Sequence, residues 1–472
     1  MTSFLIRNAE IRGQRACVRL SQGQITALAP HLSPEPADQV MDAGGGALLP
    51  GLRDHHIHPL ALAAARSSVR CGPPQIENRA SLAQALQKAA AALDPAVILR
   101  GVGYHESVAG DLDRWDLDAL LPNHPVRIQH RSGALWMLNS PALAQIDLER
   151  GPLPPGFERD ESGQPTGRIF REDAWLRTRS EWNRPPELSE VGTLLARYGV
   201  TGVCDATPSN SAEEWSLFAR ARHSGALPQK LRLMGSPELP QTHQDPHMER
   251  GAVKWMLDEN NLPAPETLIE IIQKAHQDGR GVAFHCVTRS ELVVALDALE
   301  RAGALELDRI EHASVTPPDL LDWMKRLPIA VVTQPNFLFE RGDAYLRDVE
   351  ERDQPWLYRC AGFLEARVPL AGSTDAPFGE PDPWAAMQAA VDRRSALGHA
   401  MGPEEALSPE QALALFQSPL SGPGRGSAAI TPGAAADLVL LGCSWSEARD
   451  RLEAEDVAAT WVAGQKIWQK DA

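Results

Sequence analysis

The sequence predicts an α/β fold: a (β/α)8 barrel with an inserted α/β subdomain and a small β-sandwich formed from both chain ends. Three observations lead to this prediction. Eight short, apolar, strand-like segments recur along the chain with helical patterns between most of them, and eight such units are typical of a parallel barrel. The first two segments are separated by about 145 residues (200 minus 54), far more than a barrel needs. Further short strand-like segments occur near both termini.

The terminal segments predict the sandwich. They are Phe4–Ile6, Ala16–Leu20, Ile25–Leu28 and Val40–Met41 near the start, and Ala436–Leu441 and Val457–Trp468 near the end, with a break at Gly464. Turn residues such as glycine and proline separate them. They are too few and too short for two separate cores, so we expect residues 1–50 and 428–472 to pair into one domain, because domain termini tend to lie close together.

Residues 51–427 are expected to form the barrel. The predicted strands are a first segment ending near Asp54, then Val200–Cys204, Lys230–Met234, Ala252–Met256, Val282–His285, Arg309–His312, Ala330–Thr333 and Val368–Gly372. The predicted helices are Leu188–Tyr198, Ala212–His223, Glu266–Gln277, Glu291–Ala302 and Pro318–Lys325. The interval from Lys230 to Lys254 is too short for a long helix. Residues from about 62 to 185 contain two more strand-like stretches, Ala96–Tyr104 and Val126–Gln129, and predict the inserted subdomain.

Composition excludes several classes of function. The chain has 472 residues, is 43% hydrophobic and 23% charged, and carries a net charge of −16. This charge argues against a nucleic-acid or anionic-membrane surface. The six cysteines have no paired spacing, which argues against a disulfide framework and a cysteine-zinc site. With no basic leader and no long apolar run, we expect a cytoplasmic protein that acts on a small molecule, and a homo-oligomer stays open.

The most informative stretch is Asp54-His55-His56-Ile57-His58. On a strand, residues two apart project from the same face, so the imidazoles of His56 and His58 can converge on one point. Two convergent imidazoles suit a divalent metal such as zinc. Taken alone, the pair is equally consistent with histidines that only hydrogen-bond at a polar strand end.

Further residues with metal-binding side chains occur at the ends of the other predicted barrel strands. Lys254 lies on strand 4, His285 and His312 end strands 5 and 6, and Asp375 follows strand 8. Each residue alone could be structural. In barrel enzymes, however, catalytic groups sit at the carboxyl ends of the strands, so six such residues at one rim indicate a common site.

These residues also lie in motifs by which the sequence resembles the amidohydrolase superfamily. The motifs are Asp54-His55-His56-Ile57-His58, Val253-Lys254, Phe284-His285, Arg309-Ile310-Glu311-His312-Ala313 and Ala371-Gly372-Ser373-Thr374-Asp375-Ala376-Pro377. Two stretches of the insertion, Asn139-Ser140-Pro141-Ala142-Leu143 and Gly163-Gln164-Pro165-Thr166-Gly167, resemble the branch that contains N-substituted formamide deformylase. The resemblance extends over nearly the whole chain.

The resemblance implies a binuclear site, with two zinc ions as the expected metals. His56, His58 and Asp375 would hold the more buried metal, His285 and His312 the more exposed one, and Lys254 would bridge them as a carbamate. A mononuclear site with Lys254 uninvolved stays open, as does an ordinary ion pair for this lysine. The resemblance also implies catalysis by Asp375, as the group that moves the proton.

The expected activity is hydrolysis of a non-peptide carbon–nitrogen bond, as in an amide, N-acyl or N-formyl group, by a metal-activated hydroxide. A mononuclear deaminase and a non-catalytic barrel scaffold are the alternatives. Six residues are candidates for contact with the substrate: Trp136, Phe170, Trp255, Phe378, His105 and His130. The aromatic residues would supply an apolar pocket, and the two histidines would line it from the insertion.

Overall fold

The computed structural model describes residues 3–73, 75–146, 148, 151–172, 175–176, 178, 186–240 and 245–471. The chain divides into two compact units. The first consists of Met1–Pro59 and Leu188–Ala472, and the second of Leu60–Glu187.

The strands form four sheets, and each strand is numbered here in chain order. In the first unit they are β1 (Ser3–Ile11), β2 (Gln14–Ser21), β3 (Gln24–Ala29), β4 (Asp38–Asp42), β5 (Leu48–Pro50) and β6 (Leu52–Ile57). In the second unit they are β7 (Val69–Arg70), β8 (Leu99–Tyr104), β9 (Val126–His130), β10 (Leu135–Leu138), β11 (Phe157–Arg159) and β12 (Pro165–Phe170). The first unit then continues with β13 (Val200–Asp205), β14 (Lys230–Gly235), β15 (Met248–Met256), β16 (Val282–Cys286), β17 (Arg309–His312), β18 (Ala330–Thr333), β19 (Leu370–Gly372), β20 (Leu438–Leu441), β21 (Val457–Val462) and β22 (Gln465–Gln469).

The α-helices lie between the strands. Those of the second unit are Arg79–Ala90, Glu106–Ala109, Arg114–Leu120 and Ser140–Leu143, after Pro59–Arg66, which begins at the boundary. Those of the first unit are Ser189–Arg197, Ala212–His223, Pro265–Gln277, Arg289–Ala302, Pro318–Met324, Asn336–Asp348, Ala361–Glu365, Pro383–Asp392, Pro409–Leu415 and Trp445–Ala448. No helix in the described residues combines the length and the apolar character needed to cross a membrane.

Eight parallel strands form the nearly closed barrel that the sequence predicts. Their order is β6, β13, β14, β15, β16, β17, β18 and β19. Strands β13, β17, β18 and β19 are buried along their whole length, as expected for parallel strands covered on both faces. The first strand runs further than predicted, to Ile57, because the pairing continues beyond Asp54 through a hydrogen bond from the Ala206 N–H to the Ile57 carbonyl. His56 therefore lies on the strand instead of just after it.

Helix-capping side chains explain where barrel helices begin and end. Ser211 and Glu214 form a capping box at Ala212–His223, and Thr288 and Glu291 form one at Arg289–Ala302. The second of these helices ends at Gly303, whose φ of +84° is a conformation that glycine adopts without strain. None of the described residues between β14 and β15 is helical, as the short interval predicts.

Two four-stranded sheets contain the chain ends, in the orders β3-β2-β1-β4 and β22-β21-β20-β5. They share one buried cluster that includes Phe4 and Ile6 from the start and Leu438 and Trp461 from the end. The rings of Phe4 and Trp461 meet edge to face, 6.3 Å apart. This is the predicted β-sandwich. The exact domain boundaries, at residues 50 and 428, stay a proposal.

The second unit is an α/β subdomain with a six-stranded sheet in the order β11-β12-β10-β9-β8-β7. Strands β7, β8 and β9 are parallel, and the other pairings are antiparallel. Its described residues contain two buried apolar clusters, one around Leu82 and Ile128 and the other around Leu138 and Ile169. The predicted limits of the insertion, about 62 to 185, likewise stay a proposal.

Candidate metal centre

Three buried side chains form a group with the composition of a metal site. One ligand atom each from His56, His312 and Asp375 lies within 4.8 Å of the other two. His56 Nε2 is 3.4 Å from Asp375 Oδ1. Asp375 Oδ1 and His312 Nε2 are buried and have no hydrogen-bond partner among the described residues, which is costly unless another group satisfies them. A cation among these atoms would do so.

The other three predicted ligands adjoin this group. His58 Nε2 is 3.3 Å from Asp375 Oδ1, and the ring of His285 is 4.4 Å from the ring of His312. Lys254 is 3% exposed, and within the described part of the chain its Nζ also has no hydrogen-bond partner. The charge of Lys254 depresses the pKa of His56, His285 and His312, so the lysine lies within electrostatic reach of all three.

Backbone conformation directs two of these side chains. His312 has φ of +69°, and Asp375 has φ of +56°. These left-handed values are uncommon for residues other than glycine, and such strain concentrates at functional sites. At the end of β17, the left-handed His312 interrupts the normal alternation of side chains. Glu311 and His312 can therefore both contact His56, which adjacent residues of a regular strand could not.

Hydrogen bonds at Nδ1 orient three of the histidines. His56 Nδ1 contacts the carboxylate of Glu311, His58 Nδ1 is 2.8 Å from Thr207 Oγ1, and His312 Nδ1 is 2.7 Å from Gln334 Oε1. These contacts leave each Nε2 for another interaction, and an accepting carboxylate or amide oxygen requires a proton on Nδ1. No role for Glu311, Thr207 or Gln334 followed from the sequence, although Glu311 lies in one of the recognised motifs.

The site holds three of its histidines neutral. Burial is the main cause, and it lowers the pKa of His56 to about 4, that of His312 to about 3 and that of His285 to about 2. Positively charged neighbours contribute to this lowering. Neutral imidazoles have the lone pair that metal binding requires.

The pKa values of Asp375 and Lys254 are shifted in directions that suit a metal ligand and a reactive amine, respectively. Burial alone would raise the pKa of Asp375, but the imidazoles of His56, His58 and His312 hold it below its usual value. Burial lowers the pKa of Lys254, which favours its uncharged form.

These observations together fit a divalent metal. The donor set combines neutral imidazole nitrogens with a carboxylate, which is typical of zinc and related ions. Three buried polar atoms of the site, on Lys254, His312 and Asp375, also find no hydrogen-bond partner in the part of the chain that the structure describes.

Two predicted substrate contacts lie in the same unit as this centre. Phe378 is 51% exposed, and its ring lies 5.6 Å from the ring of His58, edge to face. Trp255 is half-buried and follows Lys254 directly on β15. Since neighbouring strand residues point to opposite faces, Trp255 is directed away from the face that carries Lys254.

The other four predicted contacts lie in the second unit. Trp136 is buried in the cluster around Leu138, and Phe170 is 37% exposed. His105 and His130 stack with ring centres 6.3 Å apart, and their Nε2 atoms lie 3.5 Å and 3.2 Å from the carboxylate of Glu106. Their contact with a substrate stays a prediction.

Comparison with known proteins agrees with the geometry of the site. The chain is 26% identical to N-substituted formamide deformylase from Arthrobacter pascens, over 98% of both proteins. It is 24% identical to the putative amidohydrolase YtcJ of Bacillus subtilis (strain 168), over 92% of this chain and 91% of the relative.

A solved structure has the same fold. It is an uncharacterised metal-dependent hydrolase from Pyrococcus horikoshii OT3, with a TM-score of 0.75 and 21% identity, covering 93% of this chain and 97% of that one. The sequence model of the amidohydrolase family matches residues 39–467. That match includes all six candidate ligands and most of the chain, and the protein therefore belongs to the amidohydrolase family.

Proposed function

We propose that this protein hydrolyses an amide, N-acyl or N-formyl bond of a small molecule at a centre formed by His56, His58, Lys254, His285, His312 and Asp375. The class of enzyme follows from the family: a metal-dependent hydrolase acting on carbon–nitrogen bonds other than peptide bonds. The proposal goes further than the family in three respects. It names the residues of the centre, the number and kind of metal ions, and the bond that is hydrolysed. We expect about two zinc ions per chain, one for each of two sets of ligands.

The proposed ligands divide into two sets. His56, His58 and Asp375 would hold one ion, and His285 and His312 the other. Support for the first set comes from Asp375 Oδ1, which lies 3.4 Å from His56 Nε2 and 3.3 Å from His58 Nε2. Support for the second comes from the adjacent rings of His285 and His312.

Lys254 would join the two sets as a carbamate. A lysine ammonium would repel a cation, whereas a carbamate is an anion with two oxygen atoms that can bind two ions. The carbamate forms when the uncharged amine bonds to the carbon of CO2 and loses one proton. Burial favours that uncharged amine, and its Nζ has no hydrogen-bond partner to compete.

The metal ions, when bound, would acidify a water molecule and polarise the carbonyl oxygen of the substrate. Asp375 then moves the proton. Its carboxylate accepts the proton that the attacking water gives up as the new carbon–oxygen bond forms. It returns this proton to the nitrogen as the carbon–nitrogen bond breaks, and the products are a carboxylic acid and an amine. The depressed pKa of Asp375 keeps it ionised at neutral pH, which is the form that can accept a proton.

Phe378 provides the structural argument about the substrate. Its ring is exposed and lies beside His58, and its backbone carbonyl accepts a hydrogen bond from Arg341. An exposed aromatic surface next to a proposed ligand favours an apolar substituent on the substrate. N-substituted amides with alkyl or aryl groups are therefore the compounds to test first.

The observation that carries this proposal is the set of three buried, unpartnered polar atoms on Lys254, His312 and Asp375. The test is a zinc-supplemented screen of N-formyl, N-acyl and cyclic amides, with His56→Ala as the inactive control. Release of amine by the wild-type protein but not by the variant supports the proposal. Release of ammonia from an amino-substituted ring, with no amide cleaved, would favour a deaminase instead.

A further inference from the structure

Glu311 contacts a proposed metal ligand and a buried cation at the same time. The residue is 0% exposed, near the end of β17. Its Oε2 accepts a hydrogen bond from His56 Nδ1 and a second from Arg309 Nη2 at 3.0 Å, and its Oε1 accepts from Arg309 Nε. The guanidinium of Arg309 therefore forms a bidentate ion pair with the carboxylate of Glu311.

Arg309 is itself fixed in place. It is 4% exposed, and its Nη2 also donates to the backbone carbonyl of His55 at 2.6 Å. His55 directly precedes His56, so Arg309 links Glu311 to the strand that carries the ligand. Both oxygens of Glu311 accept hydrogen bonds from the Arg309 guanidinium, which stays protonated in proteins, so Glu311 is held as a carboxylate.

The Nδ1 partner of His56 differs in charge from the Nδ1 partners of His58 and His312. The Nδ1 partner of His58 is the hydroxyl of Thr207, and that of His312 is the amide oxygen of Gln334, both neutral groups. The partner of His56 is an anion. A carboxylate at Nδ1 fixes the proton there, leaves the Nε2 lone pair for the metal and makes the ring a stronger donor.

We infer that Glu311, held by Arg309, is a positioning residue for His56, which it orients and makes more basic so that the metal at that histidine binds more tightly. This inference rests on the proposed function, because it needs His56 to be a ligand. It assigns Glu311 no contact with the substrate. A purely structural role, as a buried ion pair inside the barrel, is the competing explanation.

The chain offers a matched control for that explanation. Glu405 is another buried acid in the same unit, 2% exposed, whose Oε1 accepts a hydrogen bond from Arg359 Nε at 2.6 Å. Its Oε2 accepts from two backbone N–H groups, those of Cys360 and Gly362. It contacts no candidate ligand in the described residues. Glu405→Gln therefore breaks a buried Arg–Glu pair without touching the metal centre.

The experiment measures zinc affinity and not activity. Wild-type protein, Glu311→Gln and Glu405→Gln are equilibrated with zinc buffered by graded chelator, and bound zinc is measured by elemental analysis. Thermal unfolding of the metal-free proteins reports the structural cost of each change. We expect one zinc-binding step of Glu311→Gln to need about 10- to 100-fold more free zinc than in the wild-type protein, and every step of Glu405→Gln to stay within about threefold of wild type.

Glu311→Asp covers the case in which Glu311→Gln does not fold. It keeps the charge that Arg309 needs but shortens the reach towards His56, so we expect weaker zinc binding in a folded protein. Wild-type zinc affinity in a folded Glu311 variant would overturn the inference and leave the proposed function intact. A wild-type protein that binds no zinc under these conditions would overturn both.

Discussion

In the proposed mechanism Asp375 has two tasks, as metal ligand and as proton carrier, and one substitution can separate them. Asp375→Asn keeps the shape and a neutral oxygen but cannot accept a proton. We predict a folded protein with retained or modestly weakened metal binding and a fall in kcat of about 100-fold or more. Steady-state kinetics with the amide identified by the screen, together with elemental analysis, checks this.

The control for Asp375 is Asp437→Asn. Asp437 is also buried, but its Oδ2 accepts a hydrogen bond from Lys230 Nζ at 2.6 Å, and it contacts no candidate ligand in the described structure. Its substitution should lower stability and leave kcat nearly unchanged. If Asp375→Asn turned over substrate within a few-fold of wild type, the proton would have to travel by another route.

Lys254 allows a second test by substitution of a single residue. Lys254→Ala should lose metal and activity, and short carboxylates such as acetate or propionate should restore part of both by replacing the carbamate oxygens. Lys254→Arg should also lose metal and activity, because a guanidinium group cannot form a carbamate. Lys230→Ala is the matched control, since Lys230 lies on the neighbouring strand and pairs with Asp437. Near-normal activity in Lys254→Ala would reduce the lysine to a structural residue.

Among the secondary-structure elements, the helix Arg289–Ala302 allows a test of how the start of a barrel helix is stabilised. Its cap Thr288 accepts a hydrogen bond from the Glu291 N–H, and Glu291 accepts from the N–H groups of Val287, Thr288 and Glu259. We predict that Thr288→Ala lowers the free energy of unfolding by about 1 kcal/mol. Chemical denaturation measures this, and zinc content should not change. An unchanged stability would show that Glu291 alone is sufficient at this helix start.

The barrel strands could be predicted because their signal is local. Runs such as Val200–Cys204 and Ala330–Thr333 are apolar and bounded by turn residues, and the structure extends or trims them only slightly. Strand β5 was missed because Leu48–Pro50 has only three residues and is defined by its pairing with β20, almost 400 positions away. No local pattern encodes such a distant partner.

The insertion was predicted less completely for a related reason. Strand β10, Leu135–Leu138, is buried throughout, so it lacks the alternation that marks a half-exposed strand. The next two strands along the chain, β11 and β12, pair with each other in an irregular register, and β11 has only three residues.

The candidate site, too, could be predicted only in part from the sequence. Metal-binding residue types at strand ends could be read from the sequence, because parallel strands bring their carboxyl ends to one rim. The contact between Glu311 and His56 could not. Regular alternation places Glu311 on the face opposite His312, and the left-handed conformation of His312, with φ of +69°, is a consequence of tertiary packing.

For the whole molecule, metal binding should contribute to stability. Metal removal would leave Lys254, Asp375 and His312 with unsatisfied buried atoms, and a ligand that binds only the native state stabilises it by about 2.7 kcal/mol at 100 times its Kd. We predict that dialysis against a chelator lowers Tm by several degrees and that added zinc restores it. Differential scanning calorimetry checks this, with a matched dialysis lacking chelator as the control. Equal Tm values would argue against a metal inside the barrel.

The most direct test of the central claim is a zinc titration of the metal-free protein, with hydrolysis of the amide identified by the screen as the readout. We predict no turnover without metal and a rise in rate that reaches its plateau at about two equivalents per chain. A plateau at about one equivalent would contradict the binuclear centre and favour a mononuclear site. Full activity in the metal-free protein would contradict the account itself.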